Sequence, residues 1–482
     1  MSGTIPSKTL REVDVEELTP TNPYVKLVRD QRIVEIPELT LESGVTIRNF
    51  PIAYKSWGNL NAEGDNCMVI CHALTGSSDV SDWWGPLLGD DMAFDPSRFL
   101  VICLNSMGSP YGSFSPLSIN SETGEPYGPE FPLCTVRDDV RAQRIVLESL
   151  GVKSVACVVG GSMGGMTALE WAAMYGEDYV KNVIALATSA RHSAWCISWS
   201  EAQRQSIYSD PKYRGGYYPL DDPPVSGLSA ARMSALLTYR SRNSFEKKFS
   251  RRVPSQAQSK KVVRPTMRKP TTVSEQSLQI HNDGHTPSSD VSQKRSSISS
   301  SNSADSLRSI SSTTSLSSAT GEVKEVKPAQ TYFSAQSYLR YQGSKFIGRF
   351  DANCYIAITR KLDTHDLARD REEFEEDIDL VLQSIETPAL VIGINSDGLF
   401  TYSEQEVIAE NMPHAHLEKI ESPEGHDAFL LEFKLINELM TKFLKEEAGK
   451  FMEAPPRPWK GHTSLETPAE SVFGEAEEVT NW

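Results

Sequence analysis

Five short apolar runs punctuate the chain, at residues 68–71, 99–104, 155–159, 183–187 and 389–394. Uninterrupted β-branched and aliphatic runs of this length suit strands buried on both faces of a parallel sheet. Between them the period changes. Val136, Val140, Leu147 and Leu150 fall on one helical face, and Gly151 supplies a C-terminal stop. A second helical pattern follows Ser162, with Met166, Leu169, Ala172 and Ala173. Strand alternating with helix predicts an α/β fold with a doubly wound, mostly parallel sheet. Residues 415–420 read as one more strand. About 200 residues separate the fourth run from the fifth, too many for a loop. That excursion is expected to hold an inserted helical lid.

Part of the excursion has another texture. Residues 251–330 contain 20 Ser and no Phe, Trp or Tyr, although the chain has 41 aromatics. So little large apolar surface cannot offset the entropy of ordering, which predicts a disordered insertion. The expected division is therefore a core at 1–190, a lid at 191–375 containing the insertion, a second core segment at 376–448, and a flexible acidic tail at 449–482. The insertion carries 12 Lys and Arg against 6 Asp and Glu, so its +6 stands against −16 for the 482-residue chain. Lys294-Arg295-Ser296-Ser297 and Arg308-Ser309-Ile310-Ser311 would suit a kinase. The plain alternative is a solvated insertion that does nothing catalytic, and its deletion is then expected to leave turnover intact.

The net charge of −16, −22 outside the insertion, excludes a whole-chain nucleic-acid binder. No run approaches the ~20 apolar residues of a membrane span, and the first 25 residues lack the apolar centre of a secretory signal. Seven Cys without a CxxC pair predict neither a disulfide framework nor a structural zinc. These features lead to the expectation of a soluble, cytoplasmic protein with no membrane, nucleic-acid or metal partner.

Gly160-Gly161-Ser162-Met163-Gly164-Gly165 sits between a strand and a helical pattern, the setting of a nucleophile elbow. A serine nucleophile needs a base and an acid, supplied in this fold in the order Ser, acid, His. His72 comes too early. His192 and His365 fall in or beside the lid, His281 and His285 in the insertion, and His462 in the tail. His414 precedes the 415–420 strand and His416 lies in it, so His426 in the following loop is the expected base. Asp397, after the 389–394 strand, is the expected acid, although an Asp before Gly also suits a simple turn. The backbone N–H groups of Met163 and of Leu74, in the loop 72–76, are the expected oxyanion donors. These residues specify serine acyl-enzyme chemistry without choosing water or another acceptor.

Cys71-His72-Ala73-Leu74-Thr75-Gly76, Gly161-Ser162-Met163-Gly164-Gly165-Met166 and Gly425-His426-Asp427-Ala428-Phe429-Leu430 resemble the homoserine O-acetyltransferase family. So do Ser193-Ala194-Trp195-Cys196-Ile197, Glu201-Ala202-Gln203-Arg204-Gln205 and Leu237-Thr238-Tyr239-Arg240-Ser241. The similarity spans roughly 45–250 and 331–445, and the Ser-rich insertion is similar to the fungal form. The resemblance implies an α/β-hydrolase fold with a helical lid, a homodimer, and no metal or resident cofactor. It further implies transfer of acetyl from acetyl-CoA to L-homoserine, in methionine synthesis, with Ser162, Asp397 and His426 as the triad. Substrate-binding roles fall by the same resemblance on Arg232, Asp427 and Tyr239. A guanidinium suits the carboxylate of a zwitterionic amino acid, and a carboxylate suits its ammonium. Serine as acceptor, a succinyl donor, or hydrolysis by an esterase remain open on the same scaffold.

Overall fold

The computed structural model describes residues 9–255, 258, 273–285 and 332–459. The strands are β1 (Arg11–Glu12), β2 (Arg32–Thr40), β3 (Thr46–Trp57), β4 (Cys67–Cys71), β5 (Leu100–Leu104), β6 (Val155–Gly161), β7 (Val183–Leu186), β8 (Ala389–Ile394) and β9 (Ala415–Ile420). They form one sheet in the order β1-β2-β3-β5-β4-β6-β7-β8-β9. From β5 to β9 every pairing is parallel, whereas β1, β2 and β3 join antiparallel. The parallel part follows the expected runs closely. The long β2–β3 ribbon was not among the expected strands; its polar and apolar residues alternate because one face meets water.

The main helices are α1 (Val136–Ser149), α2 (Met163–Tyr179), α3 (Ala194–Tyr208), α4 (Val225–Tyr239), α5 (Arg242–Lys248), α6 (Ala352–Asp363), α7 (Tyr402–Asn411) and α8 (Phe433–Glu447). Helix α1 opens with Thr135 and Asp138 capping each other's backbone and ends at Gly151, whose φ of 90° is the left-handed stop its sequence foretells. Side chains of β4 leave the sheet on alternate sides. Val69 packs with Val140, Leu147, Leu169 and Trp171 of α1 and α2, while Met68 and Ile70 pack with Ile436, Met440 and Phe443 of α8. Helices on both faces make the sheet doubly wound, and β4 to β8 are buried through their length, whereas the edge strand β9 is partly exposed.

Among the described residues no strand falls between Leu186 and Ala389; helices α3 to α6 occupy that stretch. Residues of α3, α4 and α6 pack in one cluster with Met163, Met166, Phe346 and Phe350. No helix of the described residues is long and apolar enough to cross a membrane. All seven cysteines are buried and unbridged.

The chain divides into two compact units, Met1–Lys248 with Gln342–Trp482, and Phe249–Tyr341. Of the insertion expected at 251–330, only residues 251–255, 258 and 273–285 are described. Val273–His281 is helical, and Arg340 pairs with Asp283 at 3.1 Å. Composition averaged over 80 residues hides a local window with Val273, Leu278 and Ile280 among good helix formers such as Gln276 and Gln279. Both basic-hydroxyl clusters lie outside the described residues.

The tail is described as far as Trp459. Gly449–Met452 is a short helix, Arg98 donates to the Met452 and Ala454 carbonyls, Arg457 N–H donates to Ser97 O, and Trp459 Nε1 donates to Asp90. Pro-Pro here ends a helix and leads into an extended strap held by backbone bonds. Residues 460–482 lie outside the described residues.

Candidate active site

Ser162 stands between β6 and α2 with φ 58° and ψ −126°, a conformation few side chains adopt. The elbow is held by Ser162 N–H donating to Leu186 O at 3.0 Å and by Thr188 Oγ1–H donating to Ser162 O at 2.7 Å. The carbonyl of Cys71, at the end of β4, presses on the first turn of α2. A Cβ on Gly164 would lie 2.1 Å from it, so only glycine lets the two backbones meet.

This contact brings the loop 72–76 against the N-terminus of α2. Gly76 N–H turns back to Ala73 O at 3.0 Å. His72, set aside in the search for a base, pins the loop: its Nδ1 donates to Ala73 O at 2.8 Å and its Nε2 accepts from Ser106 N–H at 2.9 Å. Burial holds its pKa down to about 4, so the ring stays neutral in that tautomer. Leu74 packs its side chain in the cluster that contains Met163. The N–H of Met163, in the first helical turn, has no carbonyl of its own helix to meet, and the α2 dipole adds positive character there.

The three residues expected to form a triad come together from three separate segments. Ser162 Oγ–H donates to His426 Nε2 at 2.9 Å, and His426 Nδ1–H donates to Asp397 Oδ2 at 2.7 Å. Asp397 is fixed in turn by its second oxygen, which accepts from Leu399 N–H at 2.8 Å and Phe400 N–H at 3.1 Å. Ser396 Oγ links the two loops, donating to Ser422 O at 2.5 Å and accepting from Gly425 N–H at 2.9 Å. Ser162, Asp397 and His426 are all buried. Burial alone would lower the imidazole pKa, but the charge and hydrogen bond of Asp397 outweigh it and leave the ring raised above its ordinary value. The rings of Phe400, Phe429 and Tyr239 surround it, with centroids 5.4, 5.1 and 6.0 Å away.

Tyr239 and Arg232 reach this site from α4. The Arg232 guanidinium lies 5.4 Å from the Tyr239 ring centroid and 5.0 Å from that of Phe346. Asp427 follows His426 and is nine-tenths buried. Burial pushes its carboxyl up to about 6, against the opposing charges of Arg240, His426 and Arg232. Burial likewise lifts Glu404 to about 7; the charge of Asp397 adds to that effect and His426 opposes it. Thr188 and Glu404 escaped the reading of the sequence, because nothing in their local pattern marks them, and Phe429 stood within the 425–430 motif without a role. Their proximity to the triad arises only across the fold.

Residues 66–433 match the α/β hydrolase fold family. The chain is 71% identical, over the full length of both proteins, to a homoserine O-acetyltransferase of Saccharomyces cerevisiae. It belongs to the homoserine O-acetyltransferase family. Among solved structures, the fold is shared with a homoserine O-acetyltransferase from Bacillus anthracis, at TM-score 0.65 and 21% identity over 87% of this chain and 98% of that one. Esterase E22 shares it equally, at TM-score 0.65 and 22% identity over 86% and 99%. The family thus stands on a scaffold that also serves an esterase. Membership rests on the full-length sequence match.

Proposed function

We propose that this chain transfers the acetyl group of acetyl-CoA to the hydroxyl of L-homoserine through an acetyl-serine intermediate, as a step of methionine synthesis. The observation that carries the reading is the chain of hydrogen bonds from Ser162 through His426 to Asp397, in a protein 71% identical to a named homoserine O-acetyltransferase.

In the first half-reaction His426 Nε2 takes the Ser162 proton as Oγ attacks the thioester carbonyl. The N–H groups of Met163 and Leu74 receive the oxyanion. The carbon–sulfur bond then breaks, and the imidazolium returns its proton to the departing CoA thiolate. In the second half, His426 Nε2 takes the homoserine hydroxyl proton while that oxygen attacks the acetyl-serine carbonyl. Collapse releases O-acetylhomoserine and gives the proton back to Ser162. Arg232 serves the amino-acid carboxylate and Asp427 its ammonium, with Tyr239 on the pocket wall. The enzyme is read as a homodimer from the resemblance, and as cytoplasmic and without resident metal or cofactor from the resemblance together with the cysteine usage and the N-terminal sequence.

The test is an initial-rate study with acetyl-CoA or succinyl-CoA as donor and homoserine, serine or water as acceptor. Acetyl-CoA with homoserine should dominate, with parallel double-reciprocal lines and no turnover by Ser162→Ala. An obligatory ternary complex, preference for serine or succinyl-CoA, or CoA release without acetylhomoserine would each overturn it.

A further inference from the structure

Arg240, the residue after α4, is 7% exposed. One arm of its guanidinium, Nη2, pairs with Glu424 and donates to Ser244 Oγ at 2.7 Å. Ser244 Oγ in turn donates to Glu424 Oε2 at 2.7 Å, and Ser241 Oγ donates to the Pro423 carbonyl. There is no slack beneath this clamp. Gly425 has φ +72°, and a Cβ there would lie 2.4 Å from Ser241 N and 2.8 Å from the Arg240 carbonyl carbon. His426 and Asp427 come next in the chain. The other arm, Nη1, lies 3.9 Å from Asp427 Oδ2. One buried guanidinium therefore spans the two carboxylates that flank the catalytic base.

The acyl-transfer steps make no use of Arg240. Its chemistry nonetheless fits a specific need. A carboxylate that is to receive an ammonium must be ionised and correctly aimed before the substrate arrives, and a fixed cation beside it secures both. The groups facing Asp427 are Arg232, Tyr239 and Arg240 from the α4 side, His426 from its own loop, and Asp397 from the loop after β8. Lys248 faces Arg240 and Glu424, and Glu404 faces Asp397 and His426. Arg240 exerts the strongest pull toward the charged form of Asp427.

We propose that Arg240 is a positioning residue for the second half-reaction: anchored on Glu424 by one arm, it holds its other arm beside Asp427 and keeps that carboxylate charged and aimed at the ammonium of the incoming amino acid. This rests on the reading that Asp427 receives that ammonium. The experiment compares Arg240→Met, Arg240→Lys and Asp427→Asn by two measurements between about pH 6 and 9. One is the burst of CoA release from acetyl-CoA without acceptor; the other is KM for homoserine.

Arg240→Met should raise homoserine KM about tenfold near pH 6.5, and the penalty should fade by about pH 8.5 as Asp427 regains its charge, while the burst rate changes less than about threefold. Arg240→Lys keeps a cation in place and should raise KM only slightly, with no slope in pH; it also serves should the Met variant fold poorly. The proposal is overturned if Arg240→Met leaves KM unmoved, if it depresses burst and KM together at every pH, or if the Lys variant proves as pH-sensitive as the Met variant. Asp427→Asn separates the two levels. An unmoved homoserine KM there removes the ammonium reading itself. A raised KM there, with none in Arg240→Met, removes only the role of Arg240.

Discussion

The indole of Trp84 supports the catalytic loop from behind: its Nε1–H donates to the Phe429 carbonyl at 3.0 Å, and its ring meets the Phe429 ring edge-on at 5.9 Å between centroids. Both residues are buried, 345 positions apart in the chain. Phe429 in turn lies against the His426 ring. Trp84→Phe keeps an aromatic ring and strands the Phe429 carbonyl without its donor, which should cost about 1–3 kcal/mol. Thermal unfolding should show the loss, together with a fall in kcat larger than any change in substrate KM. An unchanged kcat would mean that the loop holds His426 without this support.

The His426–Asp397 bond sets a second expectation. Asp397→Asn cannot hold the imidazole in the tautomer that offers Nε2 to Ser162, and kcat should fall by about 10⁴-fold, with KM little changed. Pre-steady-state release of CoA should slow by the same factor, because acylation needs the same base.

The pH profile should carry the mark of the same pair. His426 acts as a base only when neutral, and its pKa is raised because Asp397 outweighs the effect of burial. The acid limb of kcat/KM for acetyl-CoA should therefore lie above the ordinary imidazole value of about 6.5, activity rising as pH climbs through it. In Asp397→Asn the burial remains and the carboxylate is gone, so the limb should move to lower pH. A limb at or below the ordinary value in the unaltered protein would contradict this account of the imidazole.

A prediction for stability concerns Lys361, which pairs with Asp139 and donates to Met107 O at 2.7 Å, all within the core. Lys361→Met leaves Asp139 without its counter-charge and should cost about 3–5 kcal/mol at neutral pH. Burial already raises the Asp139 pKa against the pull of Lys361, and without the lysine it rises further. The folded variant then keeps a proton that the unfolded chain releases. Its stability should fall as pH climbs from the ordinary Asp value to the raised folded one, and level off above it. Chemical denaturation at a series of pH values would show the slope, and a deficit independent of pH would refute it.

What the chain determined by itself was whatever depends on near neighbours. Uninterrupted apolar runs mark β4 to β8 because a strand covered on both faces has no polar side to show, and the Gly-x-Ser-x-Gly pattern of the elbow stands out along the chain although the contacts that demand glycine at 164 and 165 come from Cys71 and Thr188. Order along the chain then singled out Asp397 and His426. Averages did worse: the serine content of 251–330 concealed the helix Val273–His281, and the Pro-Pro of the tail concealed the strap that ends at Trp459. Tertiary structure alone decided the rest. Arg240 meets Glu424, Trp84 meets Phe429, and Thr188 holds the Ser162 carbonyl. Each of these residues satisfies a polar or aromatic group supplied by a distant segment, and a hydrogen bond between segments leaves no periodic trace in either one.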